Sequence, residues 1–357
     1  MPARNDTLLR VARPTFVVDG QDQPALAEGL LRLVVSEDTQ GLGRCEASFG
    51  NWGALNRRIG FLYFGRDLLE FGKTFAVKCG TTTIFSGRIG ALEADFPEGA
   101  PPQITVLAED RLQDLRMTRR TRSFADQSDA DVVRQIASDH GLTPQVDLNG
   151  PTHKILAQVN QSDLAFLRDR CRSLGAEIWV EDTTLHVQAR AGRSADPVEL
   201  SFGRDLFAFK VLADLAHQRT TVTASGWDVS GKSAFTHDAG ASLVQGELDG
   251  GDGGAGVLQQ AFGERKEALV HTLPLSAQET EAVAGAYFKM TARRFLVGHG
   301  RAEGRADLRV GRKVDLTGLG SLFSGKYYLA AVRHLFDGTS GYRVEFTAER
   351  AALGRPN

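Results

Sequence analysis

A weak internal duplication is the feature that most limits what this chain can fold into. Residues 72–109 and 311–349 each begin with a glycine and a basic residue, pass an F-S-G triplet and end in an apolar stretch followed by Ala-Glu. Phe96 and Ala108 are 12 residues apart in the first segment, as are Phe336 and Ala348 in the second. Two antiparallel meanders with F-S-G turns could match by chance, but the shared order and spacing favour two related β units.

Two related units in one chain have a specific geometric consequence. Three copies around a three-fold axis would place six similar units in a ring, so one face would approximate six-fold symmetry. Such a chain suits an adaptor between objects of different symmetry.

The first third of the chain and its middle have different patterns. Short runs rich in Val, Ile, Phe and Thr, separated by Gly, Pro and Asn, predict an all-β unit first. Helical periodicity with capping signals then predicts three helices: one capped by Asp129, one that opens at Ser162 or Asp163, and one that begins with a capping box at Ser276. Residues 116–198 are typical of a small α+β domain, and residues 246–256 of a Gly/Asp loop.

Composition argues against several classes of protein. A formal net charge of −2 and a pI near 6.5 disfavour a dedicated nucleic-acid binder. The three cysteines lie far apart and are odd in number, which predicts buried thiols in a reducing cytoplasm. The start of the chain lacks the apolar core of a signal peptide, and no stretch approaches the ~18 consecutive apolar residues of a membrane span.

No compact catalytic or metal motif is present in the sequence. Gly251–Gly256 matches G-x-G-x-x-G, but no apolar run precedes it, so we expect a mobile surface loop. The eight histidines include no H-x-x-x-H or H-x-H pair, and there is no G-x-S-x-G. Glu93 and Asp95 share one strand face, as at a solvated edge rather than in an acid–base pair. We therefore expect no enzyme activity, no cofactor and no metal.

A basic run between the first unit and the α+β segment stands out. The candidate subunit-interface residues are Arg111, Arg116, Arg119, Arg120, Arg122 and Phe124. Arginine suits bidentate pairing with the carboxylates of a neighbouring chain. A solvated face paired with Asp110 and Asp114, or the lining of a channel for DNA or other cargo, remain as alternatives. With Phe124 as its one aromatic residue, the run does not have the pattern of a stacking nucleic-acid site.

Several motifs also occur in a fixed order over roughly residues 14–350. They are Pro14–Gly20, the triplet 85–87 with Leu92-Glu93, residues 108–112, residues 121–124, and residues 160–167 with Gly175 and Trp179. Their order and spacing resemble the phage late control protein D family, the baseplate hub proteins of contractile tails. They also resemble the amino-terminal hub part of type VI secretion spike proteins.

The resemblance implies a mostly β fold with α+β content: two related tube-like β-barrel domains, an intervening α+β domain and an inserted segment. The implied limits are 1–115 for the first barrel, 116–198 for the α+β domain, 199–228 and 297–350 for the second barrel, 229–296 for the inserted loop and helix, and 351–357 for a tail.

The resemblance also implies a structural, non-enzymatic role. The chain would be a homotrimer that joins a six-fold tail tube to a three-fold spike, with the tube protein, the spike protein and other baseplate proteins as partners. Because the sequence ends at Asn357, we expect the spike to be a separate protein. The chain would be cytoplasmic before assembly and then part of a tail particle or injection apparatus, with nucleic acid only as passing cargo.

Two other functions stay open at this point. One is a tail-associated enzyme that degrades peptidoglycan, against which the missing acid–base and metal motifs count. The other is a secreted carbohydrate-binding β protein, against which the missing signal peptide counts.

Overall fold

A computed structural model describes residues 13–55, 58–193, 196–228, 231–270 and 274–355. The predicted fold class is confirmed: the chain is mostly β, with a large antiparallel sheet and an α+β part. The first β unit comprises β1 (Thr15–Val18), β2 (Gln21–Asp22), α1 (Pro24–Gly29), β3 (Leu30–Asp38), β4 (Arg44–Gly50), β5 (Trp52–Leu55), β6 (Arg58–Phe61), β7 (Thr74–Cys79), β8 (Thr82–Asp95) and β9 (Gln103–Glu109).

The α+β part follows and has its own apolar core. It comprises α2 (Leu112–Arg116), β10 (Arg119–Ser128), α3 (Asp129–Asp139), β11 (Thr143–Asp147), β12 (Thr152–Ser162), α4 (Asp163–Leu174), β13 (Ala176–Glu181) and β14 (Thr184–Ala189). The predicted start of α4 is confirmed, because the Ser162 hydroxyl accepts a hydrogen bond from a backbone N–H group of the first turn. The predicted cap of α3 was one residue out: the Ser128 hydroxyl accepts from the Asp131 N–H, and Asp129 is the first residue of the helix.

The remaining elements form the second β unit and the segment inserted in it. They are β15 (Val198–Ser201), β16 (Leu206–Ala213), β17 (Thr221–Asp228), β18 (Ser233–Gly240), β19 (Asp252–Gly253), α5 (Gly254–Phe262), β20 (Lys266–Leu269), α6 (Ala277–Arg293), β21 (Leu296–Glu303), β22 (Lys313–Thr317), α7 (Gly320–Phe323), β23 (Gly325–Asp337), β24 (Gly341–Arg350) and β25 (Ala352–Leu353). The predicted start of α6 is confirmed by the Ser276 cap.

The domain limits stay a prediction, and three of them, after residues 115, 198 and 296, fall within elements of the structure. The limit after residue 115 cuts α2, although Leu112 and Leu115 belong to the α+β core. The limit after residue 228 separates β17 from its partners β18 and β20, which form a separate sheet under α6. Pairing and core contacts place both segments with the elements that follow them.

The loop predicted over residues 246–256 is partly helical. Gly254–Phe262 forms α5, and Ala255 and Leu258 are buried. Because glycine has low helix propensity, the sequence pattern did not predict this helix, which burial of its apolar side chains stabilises. The two-residue strand β19 precedes this helix, which is not the buried strand that a dinucleotide site needs.

The duplication is present as topology. Strands β7, β8 and β9 form an antiparallel meander, and so do β22, β23 and β24. Ile89 lies opposite Ala108 and Leu329 opposite Ala348, and each pair adjoins a bulge. The Gly72 N–H donates to the Ile89 carbonyl at 2.8 Å, as the Gly311 N–H does to that of Leu329 at 3.0 Å.

The F-S-G triplets are not equivalent and are not both turns, so that part of the prediction was wrong. Phe85, Ser86 and Gly87 lie inside β8, whereas Phe323 ends α7 and Gly325 begins β23. Strand pairing aligns Phe85 with Gly325, because Phe85 lies opposite Val77 and Gly325 opposite Leu316. A short sequence match was therefore two residues out of structural register.

The two units join through one contact between strands. β3 pairs antiparallel with β23, which links both units in a 13-stranded sheet. The main path of the sheet runs β16-β21-β24-β23-β3-β4-β9-β8, and β7 follows β8. Side chains of both units share one apolar core. We call the β3–β23 contact the internal seam.

The contact between the first β unit and the α+β part generates a stability prediction. At Gly41 (φ +90°) an added Cβ would lie 1.8 Å from the Ile178 carbonyl oxygen, whereas at Gly20 (φ +78°) it would meet nothing within 4 Å. Gly20→Ala should cost only the backbone strain, on the order of 1–2 kcal/mol. Gly41→Ala should cost about 1–3 kcal/mol more, because the two parts must also separate. Urea unfolding of both variants measures the difference, and equal losses would contradict the contact.

Candidate assembly interface

The predicted basic run is largely satisfied within the chain. The Arg111 guanidinium contacts Asp114 at 2.8 Å, and Arg116 pairs with Glu109. The exposed Arg119 donates to the Asn160 carbonyl at 2.9 Å. These contacts hold the arginines on the surface between the first β unit and the α+β part, and they lower the charge available to a polyanion.

Asp163, the first residue of α4, forms ion pairs with the other two arginines of the run, Arg120 and Arg122. Its carboxylate accepts from Arg122 at 2.8 Å, and Arg120 lies 3.2 Å away. His140 and Gln158 each contact it at 2.8 Å. Burial opposes ionisation of this carboxyl, but its hydrogen bonds and the two guanidinium groups together lower its pKa.

Phe124 does not belong to a surface. It is 3% exposed, and its ring stacks on Phe166 with centroids 5.8 Å apart. It is therefore a core residue of the α+β part, and we remove it from the candidate interface. The interface role of the arginines stays a prediction.

The internal seam shows how two β units of this protein recognise each other. Its register places His334 opposite Val35, Leu335 opposite Val34, and Phe336 opposite Leu33. Five of these six side chains are buried, with Phe336 at 7% exposure among them, and Leu335 is partly buried. Backbone pairing and apolar burial therefore act together along this contact.

An ion pair between Arg309 and Glu37 stabilises one end of the internal seam. The Arg309 guanidinium contacts both oxygens of Glu37, at 2.8 and 2.9 Å, and the Val310 N–H donates to the same carboxylate. Burial opposes ionisation of Glu37, but Arg309 lowers its pKa below the usual range. Nearby, burial lowers the pKa of His334 to about 4, so its imidazole is neutral at pH 7.

The eight-strand row has two open sides within the described residues. β16 has a strand partner only in β21, and β8 from Ala91 onwards has one only in β9. Exposed apolar side chains lie at both places: Phe96 is 61% exposed and Leu212 64%. An unpaired strand with exposed apolar side chains is a template for pairing with another chain.

The basic run did not reveal these open sides. Only the alternation of Glu93 and Asp95 had indicated a solvated strand edge. Leu212 and Lys210 in β16 had no distinguishing signal, because a single sequence does not show which strands end a sheet.

The described ranges contain neither a metal-like cluster nor a membrane-type helix. No three or more His, Cys, Asp and Glu side chains come together as metal ligands there. No helix in those ranges has the length and apolarity to cross a bilayer. The three cysteines are free and buried.

The sequence matches a model of a known protein family. A family model described as the Alg8 N-terminal domain matches residues 65–337. No curated protein matches the sequence.

Solved structures share the fold at low sequence identity. The 43 kDa tail protein of prophage MuSo2 from Shewanella oneidensis has a TM-score of 0.70 at 13% identity, over 96% of this chain and 99% of that one. A tail protein from Neisseria meningitidis MC58 has a TM-score of 0.65 at 13% identity, over 94% and 96%.

A third structure comes from a secretion system. The E. coli c3393 protein, described as a component of the type VI secretion system with similarity to the T4 tail proteins gp27 and gp5, has a TM-score of 0.57. It is 11% identical over 92% of this chain and 76% of that one. The chain thus has the fold of these tail and secretion-system proteins.

The ion pair at the internal seam generates a pH-dependent prediction. Glu37→Gln should lower the free energy of unfolding by about 1–2 kcal/mol at pH 7. This loss lies between those typical of exposed and of buried ion pairs, because the Glu37 and Arg309 side chains are 18% and 36% exposed. The lowered pKa of Glu37 means that its contribution is complete above the unfolded value of ~4.3 and is lost as pH falls through the folded value.

Urea unfolding between pH 7 and pH 3 measures this effect. The gap between wild type and Glu37→Gln should narrow at low pH. Glu46→Gln is the control, because the Arg32–Glu46 pair is exposed and should contribute less than about 1 kcal/mol. A gap that is constant with pH would contradict the role of Glu37.

Proposed function

The chain belongs to the Alg8 N-terminal domain family, whose model spans well over half of its residues, and we propose that it is a baseplate hub of a contractile tail or injection system. In this proposal the chain is a structural component of the late control protein D type and not an enzyme. Three copies form a ring that joins a six-fold tail tube to a three-fold spike. The observation that carries the proposal is the internal seam. The strands at the two open sides, β8 and β16, correspond to β23 and β3, the strands that pair in that seam.

The equivalence of the two units extends beyond the meander. Cys45 lies opposite Ala108, and Gly298 opposite Ala348, so β4 corresponds to β21. Val35 pairs with Cys45, and Val211 with Gly298, so β3 corresponds to β16. Both strands also have a bulge at the same place, between Leu30 and Arg32 and between Leu206 and Ala208.

This equivalence defines a register between neighbouring copies. The internal seam pairs β23 with β3, so the matching contact pairs β8 of one copy with β16 of the next. In the matching contact, Ala94 takes the place of His334 and Val211 takes the place of Val35, so Ala94 lies opposite Val211. In the same way, Leu335–Val34 becomes Asp95–Lys210, and Phe336–Leu33 becomes Phe96–Phe209. We call this contact the external seam.

The chemistry of the external seam is complementary in this register. Leu92, Phe209 and Val211 all pack at the margin of the apolar core, and the pairing keeps them on one face. On the opposite face, the Asp95 carboxylate meets the Lys210 ammonium. A shift by one residue would place the Asp95 carboxylate opposite Phe209 or Val211 instead of Lys210, so the register is strongly specified.

Exposure also differs between the two seams as the proposal requires. Phe336 is 7% exposed in the internal seam, whereas its counterpart Phe96 is 61% exposed. Burial of such side chains supplies the association energy, at roughly 25 cal/mol per Å² of apolar surface. Three copies would present six related β units, which suits contact with a six-fold tube.

Partners and location follow from this role. We propose the tube protein, the spike protein and other baseplate proteins as partners, and nucleic acid only as cargo that passes through. The chain would be made in the cytoplasm and then become part of the tail particle or injection apparatus.

Reversal of one charge at the external seam should weaken the ring. Asp95→Lys or Lys210→Asp places like charges opposite each other and should cost up to about 1 kcal/mol at each seam, or about fivefold in the dissociation constant. The double variant should restore assembly. Lys154→Asp, which changes the charge at a 95% exposed side chain of the α+β part, is the control. Sedimentation velocity over a concentration series measures trimer formation, and additive losses in the double variant would contradict the pairing.

A disulfide can test the register directly. Ala94→Cys combined with Val211→Cys places thiols on opposite residues, with Cα atoms about 4.5–5.5 Å apart. Leu92→Cys with Val211→Cys is the matched control, with a diagonal distance of about 7–8 Å. Covalent trimers on a non-reducing gel should form only with the first pair. A trimer that cross-links equally with both pairs would contradict the register.

A further inference from the structure

A cluster of aromatic side chains lies beside the open side of β8. Trp52 and Phe61, on the β5–β6 hairpin, have ring centroids 5.1 Å apart. Phe61 stacks on Phe64 at 4.8 Å, and Phe96 lies 6.1 Å from Phe61 and 5.9 Å from Phe64. We call these four residues the aromatic patch.

The aromatic patch is exposed although its rings contact each other. Trp52 is 47% exposed, Phe61 41% and Phe96 61%. Contiguous apolar surface of this kind on a folded protein marks an interaction site, and aromatic residues supply the largest contact energies in interfaces.

The hairpin that carries the patch occurs in only one of the two β units. Residues 51–73 connect β4 to β7 and include β5 and β6. The corresponding connection in the second unit, from β21 to β22, is residues 304–312 and contains no strand. The hairpin therefore lies near the external seam and has no counterpart at the internal seam.

We propose that the aromatic patch packs against the start of β16 in a second copy of this chain. This inference rests on the proposed ring and adds a contact that strand pairing alone does not include. In the register of the external seam, Phe96 faces Phe209, and the patch continues from there towards Phe202. Phe202 is 53% exposed and bridges to Leu206 at the start of β16.

A comparison of the seams explains why the external seam needs this contact. The internal seam joins parts of one chain and has the Glu37–Arg309 ion pair. The residue of β16 that corresponds to Glu37 is Ala213, which cannot form an ion pair. Association of separate chains also costs translational and rotational freedom. The aromatic patch supplies buried apolar area at the other end of the external seam, near Phe209, and so compensates for the ion pair that is missing at Ala213.

Two tryptophans of nearly equal exposure make a matched test. Trp52→Ser removes the tryptophan of the aromatic patch, whereas Trp227→Ser removes a 45% exposed tryptophan of the inserted segment. The full chain is examined by sedimentation velocity, and circular dichroism confirms folding. Trp52→Ser should raise the concentration needed for assembly at least about tenfold, and Trp227→Ser should leave it within about twofold.

A second readout does not depend on the folding of a patch variant. In the Trp227→Ser chain, assembly should lower quenching of tryptophan fluorescence by acrylamide, because Trp52 becomes covered. Unchanged quenching on assembly, or equal assembly of the two serine variants, would overturn the patch contact and leave the ring intact. A wild-type chain that stays monomeric at all concentrations would instead overturn the proposed function.

Discussion

Pairing of backbone N–H and C=O groups between strands is the constraint on which the rest of this structure depends. Each strand inside the eight-strand row satisfies its backbone groups on both sides. Among the described residues, β16 and the end of β8 do so on one side only. The internal seam shows that the same chemistry can close such an edge, because β3 and β23 there meet with buried apolar side chains.

The internal seam joins two parts of one chain, whereas the external seam would join separate chains, and their side chains differ accordingly. The internal seam can hold an ion pair because its partners belong to one chain and stay close together. The open edges carry apolar side chains together with Glu93 and Asp95 on β8 and Lys210 on β16, and water solvates these charges in the separate chain. A surface of this kind keeps the single chain folded and still favours association in one register.

Sequence patterns predicted the repeated units because spacing survives when residue identities change. Serine caps likewise located α4 and α6, whereas the cap of α3 is Ser128, one residue before the predicted Asp129. The F-S-G match failed because a triplet carries no information on strand register. Helix α5 was missed because glycines conceal helical periodicity, and the pairing of β17 with β18 and β20 could not be predicted because strand partners are not visible in one sequence. The basic run stood out for its charge, but most of its arginines form ion pairs with carboxylates of the same chain, such as Asp163.

Amide hydrogen exchange of the separated and assembled protein tests the central claim most directly. The account predicts that outward-pointing amides of β16 and of β8 after Ala91 exchange rapidly in the monomer and become protected in the trimer. Amides at the internal seam, residues 331–337, should be protected in both states. A trimer in which the amides of β16 and β8 still exchange freely would contradict the account.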